Sequence, residues 1–226
     1  YSAIFTVTRA NGVVQTEIAG ENRYETSVRI SQEAFPGGSD WVVVATGNNW
    51  PDALGGSALA GALDGPILLT NASTLPAAVS AEITRLGADK AIILGGTAAV
   101  GTPVETALRT LLGAGDVERL AVTNRYQTAD LVGARTIAVL GGDYTGVAFV
   151  ATGANYPDAL GAAPLSVGLK WPLFLTKPTG LDPSTKTAMG GVTRVLVLGG
   201  NAVVSPAIES AVKATYVTGS VERLAG

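Results

Sequence analysis

One set of polar and aromatic residues occurs twice in this chain. NRYET at 22–26 returns as NRYQT at 124–128, and TGNNWPDAL at 46–54 returns as TGANYPDAL at 152–160. Guanidinium groups bind anions, amides bind hydroxyl groups, and aromatic rings give flat apolar contact surfaces. The set therefore predicts a ligand-binding site that is present twice. Its members are Arg23, Tyr24, Asn49, Trp50 and Asp52 in the first copy, and Arg125, Tyr126, Asn155, Tyr156 and Asp158 in the second.

Structural roles for the same residues stay open at this point. Asp52 and its repeat fall in the first turn of a predicted helix, where a carboxylate stabilises the helix dipole. Arg23 could pair with Asp52 and join two loops instead of contacting a ligand. The tyrosines of the two NRY segments fit helix packing, whereas Trp50 and Tyr156 fit surface contacts better.

Enzyme chemistry has little support in the sequence. The chain has no Cys and no His, so it lacks the commonest nucleophile–base pairs and the commonest metal ligands. Neither nucleotide-binding glycine motif occurs, and Ser57 lies in GGSAL rather than in a G-x-S-x-G elbow. Each copy offers one recurrent acid at this position, so a two-carboxylate hydrolase is only a weak alternative. The sequence predicts a non-catalytic module without a metal or cofactor.

The composition limits the partners. The chain has 226 residues, 47% of them hydrophobic and 15% charged, with a net charge of −3. A net negative charge disfavours nucleic acid as a partner. An uninterrupted apolar run of the length needed to span a bilayer is missing, so membrane insertion is not expected.

The elements that must position these residues alternate along the chain. Apolar runs at 41–47, 66–70, 90–96 and 117–122 predict strands. The stretches between them predict helices, and one of these helices is expected to begin at Pro51 and continue to Leu63. Near-continuous apolar strands alternating with helices are typical of a parallel sheet covered on both faces. The second-copy strands are predicted at 147–153, 172–176, 194–200 and 221–226.

The repeats divide the chain into domains. Residues 18–121 are predicted as the first repeat, 122–220 as the second, and 221–226 as the first strand of an incomplete third. Residues 1–17 alternate apolar and polar side chains around Asn11-Gly12, which predicts an N-terminal β-hairpin extension. We expect two α/β three-layer αβα modules in tandem. Their recurring polar residues follow strands, at the sheet edge where open α/β folds bind ligands.

The ordered motifs resemble the type 2 cell-wall-binding repeat of secreted and surface-layer proteins of Gram-positive bacteria. They are NRY-x-T, TG-x-N-[WY]-PDAL, PILLT, LGG and VERLA, and they cover residues 18–226. The resemblance implies Toprim-like modules that pack in threes and bind an anionic secondary cell-wall polymer at the cell surface. It also implies an apolar module interface. That interface would use Ile67, Leu68 and Leu69 in the first copy, and Leu173, Phe174 and Leu175 in the second.

Two departures from the family pattern bear on function. Only two full repeats are present, and Val122 stands where a glycine is expected. A third repeat in a longer chain, or further copies in a homo-oligomer, would have to complete a three-module arrangement. The leading hypothesis is a module that anchors a secreted or surface protein at the cell wall. A self-assembling surface-layer protein is the alternative.

Overall fold

The computed structural model describes residues 6–8, 14–215 and 219–225. It contains two four-stranded sheets in which all paired strands are parallel, and a separate two-stranded hairpin. The predicted tandem of α/β modules is therefore confirmed. In the described part of the chain, the helices are too short or too polar to cross a membrane.

The N-terminal hairpin pairs β1 (Thr6–Thr8) with β2 (Val14–Thr16) in antiparallel orientation. Thr6 lies opposite Thr16, as expected for strands that fold back on each other. The predicted Asn11-Gly12 turn falls outside the described residues.

The first module contains a sheet in the strand order β4-β3-β5-β6. Its strands are β3 (Trp41–Thr46), β4 (Ile67–Thr70), β5 (Lys90–Leu94) and β6 (Val117–Leu120). Its helices are α1 (Arg23–Ala34), α2 (Pro51–Gly55), α3 (Ser57–Leu63), α4 (Ala77–Leu86) and α5 (Thr102–Leu112). The helix expected over 51–63 is broken at Gly56.

The second module repeats this plan, with the strand order β10-β9-β7-β8. Its strands are β7 (Val147–Thr152), β8 (Leu173–Thr176), β9 (Arg194–Leu198) and β10 (Ser220–Leu224). Its helices are α6 (Arg125–Leu140), α7 (Pro157–Leu169), α8 (Pro183–Ala188) and α9 (Pro206–Thr215), with a 3-10 turn at Gly141–Asp143.

Local signals set the helix ends. The Asn22 side chain accepts hydrogen bonds from the backbone N–H groups of Tyr24 and Glu25, and Asn124 caps α6 in the same way. Proline occupies the first turn of α2 and α7, where its missing N–H costs nothing. Gly87 ends α4 with a φ of 68°, a left-handed conformation that glycine adopts without strain.

The last strand corrects the predicted domain boundary. Residues 221–226 were expected to open an incomplete third repeat. Instead β10 pairs in parallel with β9, from Ser220 opposite Arg194 to Leu224 opposite Leu198. β6 pairs with β5 in the same way in the first module. The VERLA segment is therefore the edge strand that completes each module, because its hydrogen bonds go to the preceding strand of the same sheet.

Helix α6 is shared by the two modules. Val132 and Val139 of α6 pack in one core with Leu59 of α3 and Leu94 of β5. The same helix packs on β8 and α8 of its own module. One face of the first sheet is thus covered partly by the second module, while α1, α4 and α5 cover the other face.

The apolar segments predicted to form a module interface alternate between the two faces of their sheets. Leu68 and Phe174 are fully buried in the cores on the far side, away from the other module. Ile67 and Leu69 pack against the core that includes α6, and Leu173 and Leu175 lie in a core that Leu54 joins from the first module. Contact between the modules is made mainly by helices, with α2 and α3 packed on α6 and α7.

Candidate functional site

Both arginines of the NRY segments reach the loops that follow the central strands. The Arg23 Nη1 donates to the carbonyl oxygen of Gly47, just after β3. The Arg125 Nη1 donates to the carbonyl oxygen of Gly153 at 3.0 Å, just after β7. Each first helix is thereby tied to the carboxyl end of its sheet, and each guanidinium keeps further N–H donors for other acceptors.

The tyrosines of the same segments pack closely against these loops. A Cβ at Gly47 would lie 2.7 Å from the Tyr24 ring, so only glycine fits there without displacing the ring. Gly153 faces the Tyr126 ring in the second module. The Tyr24 hydroxyl donates to Asn48 Oδ1 at 3.4 Å. Tyr24 and Tyr126 are half-buried and join the module cores.

The two asparagines before the aromatic residues shape the turns. Asn49 Oδ1 accepts from the backbone N–H of Trp50 at 3.0 Å, and Asn155 Oδ1 accepts from that of Tyr156 at 2.9 Å. Their side-chain amides hold the loops at the start of α2 and α7. The aromatic side chains that follow are thereby fixed at the sheet edge.

Packing brings the aromatic residues of the two modules together. The ring centroids of Trp50 and Tyr156 lie 5.8 Å apart with an interplanar angle of 55°. The Arg125 guanidinium lies over the Trp50 ring, 5.5 Å from the ring centroid. This separation suits a cation–π contact. The Trp50 loop of the first module and the Tyr156 loop of the second therefore meet in one place.

A groove of about 540 Å³ opens beside this cluster and is called the inter-module groove below. Arg23 lies at its first-module side, and Tyr156 is 46% exposed at its second-module side. The complete lining is Arg23, Thr46, Gly47, Asn48, Asn49, Trp50, Ala53, Leu54, Leu69, Tyr156 and Leu160. An exposed cation, amides and aromatic rings around an apolar floor can bind anionic groups, hydroxyl groups and flat apolar faces.

Asp52 lies on the other side of the Trp50 loop, in a cavity of about 260 Å³. Burial raises the pKa of Asp52, and the positive charge of Arg125 partly opposes that rise. The alternative that Arg23 pairs with Asp52 is wrong, because Arg23 turns to Gly47 and the charge that acts on Asp52 comes from the second module. Asp52 therefore belongs to the contact between modules.

Asp158, the repeat of Asp52, lines a cavity of about 150 Å³ with Gly199, Leu198 and Leu224. Gly95 and Gly199 both have left-handed φ angles, 94° and 96°, and each lies beside the aspartate of its module. Within the described residues, no second module covers Asp158 as α6 covers Asp52. The two predicted aspartates thus occupy different environments in spite of their equivalent positions.

The charged residues of VERLA have structural partners. Arg119 Nη2 donates to Glu105 Oε2 at 2.7 Å and its Nη1 donates to the Gly95 carbonyl oxygen. Arg223 binds Glu209 and the Gly199 carbonyl oxygen in the same way. These arginines join each edge strand to the last helix and to the Gly-Gly turn.

Several residues of the inter-module groove were not among the predicted ligand contacts. Asn48, Leu54, Leu69 and Leu160 line the inter-module groove, although none of them was predicted as a ligand contact. The DAL leucines are identical in both copies, and that identity at a helix start was the available signal. The described residues hold no group of three or more acids, cysteines or histidines that could hold a metal ion.

Comparisons with known proteins agree with this architecture. The family model "Cell wall binding domain 2 (CWB2)" matches residues 17–105 and 119–209. An "Amidase enhancer" of Bacillus subtilis (strain 168) is 29% identical over 225 residues, covering 100% of this chain and 29% of that protein. The "N-acetylmuramoyl-L-alanine amidase LytC" of the same bacterium is 25% identical over 205 residues, covering 89% of this chain and 38% of the relative.

Solved structures share the fold. Cwp6 from Clostridium difficile superposes with a TM-score of 0.83 at 23% identity, covering 98% of this chain and 37% of that one. Cwp8 from the same bacterium has a TM-score of 0.82 at 29% identity, covering 92% and 35%. The chain thus spans between about a quarter and two fifths of the length of each of these proteins.

Proposed function

Because the chain belongs to the cell wall binding domain 2 family, we propose that it anchors a protein at the cell wall by binding an anionic wall polymer in the inter-module groove. Cell-wall binding is the role that the family description names, and the polymer and the groove are the proposal. The observation that carries the proposal is the Trp50–Tyr156–Arg125 cluster, to which both modules contribute.

Local charge supports an anionic ligand although the chain has a net charge of −3. Arg23 is exposed at the groove, and Arg125 lies over Trp50. Charges beyond a screening length of roughly 8–10 Å contribute little at physiological salt, so nearby guanidinium groups dominate. Raised salt should therefore weaken binding.

A binding role without catalysis fits the placement of the acids. Asp52 and Asp158 line separate cavities, so the site does not bring two recurrent carboxylates to one scissile bond. Two relatives carry amidase-related names, and this chain covers 29% and 38% of them. We propose that it corresponds to their wall-binding part and places an attached effector at the cell wall.

Retention on purified wall sacculi tests the proposal. The chain should sediment with intact sacculi and stay in solution after the anionic polymer has been stripped with mild acid. Arg23→Ala should lower retention on intact walls, because it removes an exposed guanidinium at the groove. Arg29→Ala is the matched control, since it removes the same charge from the same helix outside the groove. Equal retention on stripped and intact walls would overturn the proposal.

A second candidate, self-assembly or a third module, has its own observation. Leu120 of β6 is 3% exposed under α6, whereas the equivalent Leu224 of β10 is 48% exposed. Leu165 and Leu169 of α7 are also exposed on the second module. We propose that another module, from a longer chain or a second copy, covers this surface.

Light scattering over a range of concentrations tests the second candidate in the chain as it stands. Association that Leu224→Glu abolishes would support it. A monomer at every concentration that still binds walls would contradict self-assembly and leave polymer binding intact.

A further inference from the structure

Each module has a groove between its first helix and the helix that follows its outer strand. In the first module this groove lies between α1 and α4 and has a volume of about 360 Å³. In the second it lies between α6 and α8 and has about 380 Å³. We call the latter the α6–α8 groove. It lies apart from the inter-module groove and shares no lining residue with it.

A buried carboxylate with an unused oxygen lies at the α6–α8 groove. Asp130 is only 3% exposed, and its Oδ2 accepts from Ser184 Oγ at 2.6 Å and from Thr185 Oγ1 at 3.0 Å. Its Oδ1 is buried and has no hydrogen-bond partner in the described structure. Buried polar atoms in folded proteins are nearly always hydrogen-bonded, so this orphan oxygen indicates a missing donor.

A second orphan acceptor lies one helical turn away. Gln127 Oε1 is also buried without a partner among the described residues, and Gln127 lines the same groove. Residues three apart on a helix lie on the same face. Two residues that line the groove thus each have a buried, unsatisfied oxygen acceptor. The hydroxyl groups of Ser184 and Thr185 already donate to the other carboxylate oxygen of Asp130.

The surroundings favour a cation with an apolar body. Asp182 is paired with Lys177 at 2.8 Å, so among the described residues the charge of Asp130 has no counter-ion in direct contact. Leu131, Ala134 and Ala188 provide an apolar wall. A positive donor group would offset the carboxylate charge, and an aliphatic chain would pack against the apolar wall.

The first module shows that the repeat does not require this arrangement. Val28 occupies the position of Asp130, counted from the capping asparagines, and Arg29 occupies that of Leu131. The buried acid of the α1–α4 groove is Glu82, and both of its oxygens accept hydrogen bonds, from Ser31, Gln32 and Arg85. The unsatisfied pair is therefore particular to the second module.

We propose that the α6–α8 groove binds a small primary ammonium compound, whose N–H groups donate to Asp130 Oδ1 and Gln127 Oε1. An ammonium group has three donors and no acceptor, so it has enough donors for both oxygens. A hydroxyl group has one donor and would leave one oxygen unsatisfied. A calcium ion needs six to eight oxygen ligands, more than these residues offer.

The ionisation of Asp130 is consistent with this ligand. Burial raises the pKa of Asp130 to about 6. The Asp182 charge also raises this pKa, whereas the Ser184 and Thr185 hydroxyls and the Lys177 charge lower it. The carboxyl group is therefore mainly ionised at pH 7, where an alkylammonium is protonated. Binding should weaken as the pH falls below 6, because the carboxylate takes up a proton.

NMR titration of the chain with n-butylammonium tests the proposal, with 1-butanol as the uncharged isostere. We expect saturable shifts of the Gln127, Asp130 and Ser184 amide signals with n-butylammonium and none with 1-butanol. Asp130→Asn should weaken the affinity at least about 10-fold, since it removes the charge that the ammonium meets. Asp143→Asn, the same change at an exposed site of the same module, should leave the affinity unchanged.

A second variant guards against loss of folding at a buried position. Leu131→Arg copies Arg29 of the first module at a residue that is already 37% exposed. It places a competing guanidinium beside the groove and should abolish the shifts. A ligand as small as n-butylammonium binds weakly, so the titration extends to about 100 mM. The absence of a saturable shift up to that concentration would overturn the proposal. Equal affinity of Asp130→Asn and the unchanged chain would overturn it as well.

Discussion

The two modules bury an acid between the same pair of helices but place it differently. In the first, Glu82 of α4 receives hydrogen bonds at both oxygens, and Val28 packs in the core with Val79. In the second, Asp130 of α6 and Thr185 of α8 replace that valine pair and bond to each other at 3.0 Å. The positions at which these two helices contact each other thus accept either an apolar pair or a polar pair.

Side-chain volume is exchanged in the same way. Ser31 of α1 corresponds to Gly133 of α6, and Leu68 of β4 corresponds to Phe174 of β8. A Cβ at Gly133 would lie 2.7 Å from the Phe174 ring, so the larger ring requires the smaller helix residue. The loops after the central strands, by contrast, share the arginine hydrogen bonds to Gly47 and Gly153 and the backbone hydrogen bonds to the Asn49 and Asn155 side chains. The scaffold preserves the loops while the helix contacts differ.

The largest expected effect separates the two buried acids. Glu82→Ala should lower the free energy of unfolding by about 3 kcal/mol, because it leaves the Ser31 hydroxyl and the Arg85 guanidinium without their acceptor. The double variant Asp130→Val, Thr185→Val copies the first module and should change that free energy by less than about 1 kcal/mol, since both polar partners become apolar together. Denaturant unfolding measures both. Equal losses would contradict the comparison.

A pH series should separate the acids by sign. The pKa of Asp130 is raised to about 6 by burial, so its protonated form favours the folded state and that stability is lost as the pH rises from 4 through 6. The advantage of the unchanged chain over Asp130→Asn should fall by roughly 2–3 kcal/mol over this range. Chemical denaturation at each pH measures it, and a constant difference would argue against a raised pKa.

Glu82 should behave in the opposite sense. Burial acts to raise its pKa, but hydrogen bonds from Arg85, Ser31 and Gln32 and the charge of Arg85 outweigh burial and lower the pKa below its ordinary value. Its contribution is therefore present above pH 4.5 and lost as the pH falls further. Glu82→Gln in the same series provides this contrast.

The volume exchange gives the next largest effect. Gly133→Ser should cost about 2 kcal/mol, because the new side chain meets the Phe174 ring. Adding Phe174→Leu should recover most of that loss, since it recreates the Ser31–Leu68 combination of the first module. A double-mutant cycle of unfolding free energies measures the coupling. Additive losses would show that the two positions do not compensate each other.

The smallest expected difference concerns the two equivalent arginines. Arg125→Ala should cost about 1 kcal/mol, because it removes the contact over Trp50 and a charge that favours ionised Asp52. Arg23→Ala should cost less than about 0.5 kcal/mol, as is usual for an exposed surface residue. Thermal unfolding of the two variants compares them directly. An equal loss would mean that the module contact does not set the role of the arginine.

Sequence periodicity was sufficient for most of the fold. The apolar runs and the Pro and Gly residues at helix ends predicted the strands and their parallel arrangement, since each of these signals is local. The break of the predicted 51–63 helix at Gly56 was missed, because it depends on close packing against Leu94. The last VERLA segment was predicted both as a second-copy strand and as the start of a third repeat, because strand pairing is a long-range contact.

The candidate site was predictable in its residues and not in its assembly. The recurring arginines and aromatic residues were identified, but their meeting across modules depends on how α2 and α3 pack on α6 and α7. Asp130 was overlooked, although comparison of the copies offers a signal, since Val28 in one becomes aspartate in the other. Its unsatisfied oxygen follows from burial, which one sequence does not reveal.

The shared helix α6 has a mechanical consequence. β6 is hydrogen-bonded into the first sheet, and α6 begins only at Arg125 and inserts Val132 beside Leu59 and Leu120. Bending the two modules apart would separate that core, so residues 121–124 do not act as a hinge. A force that pulls on one module would therefore pass to the other through this shared core.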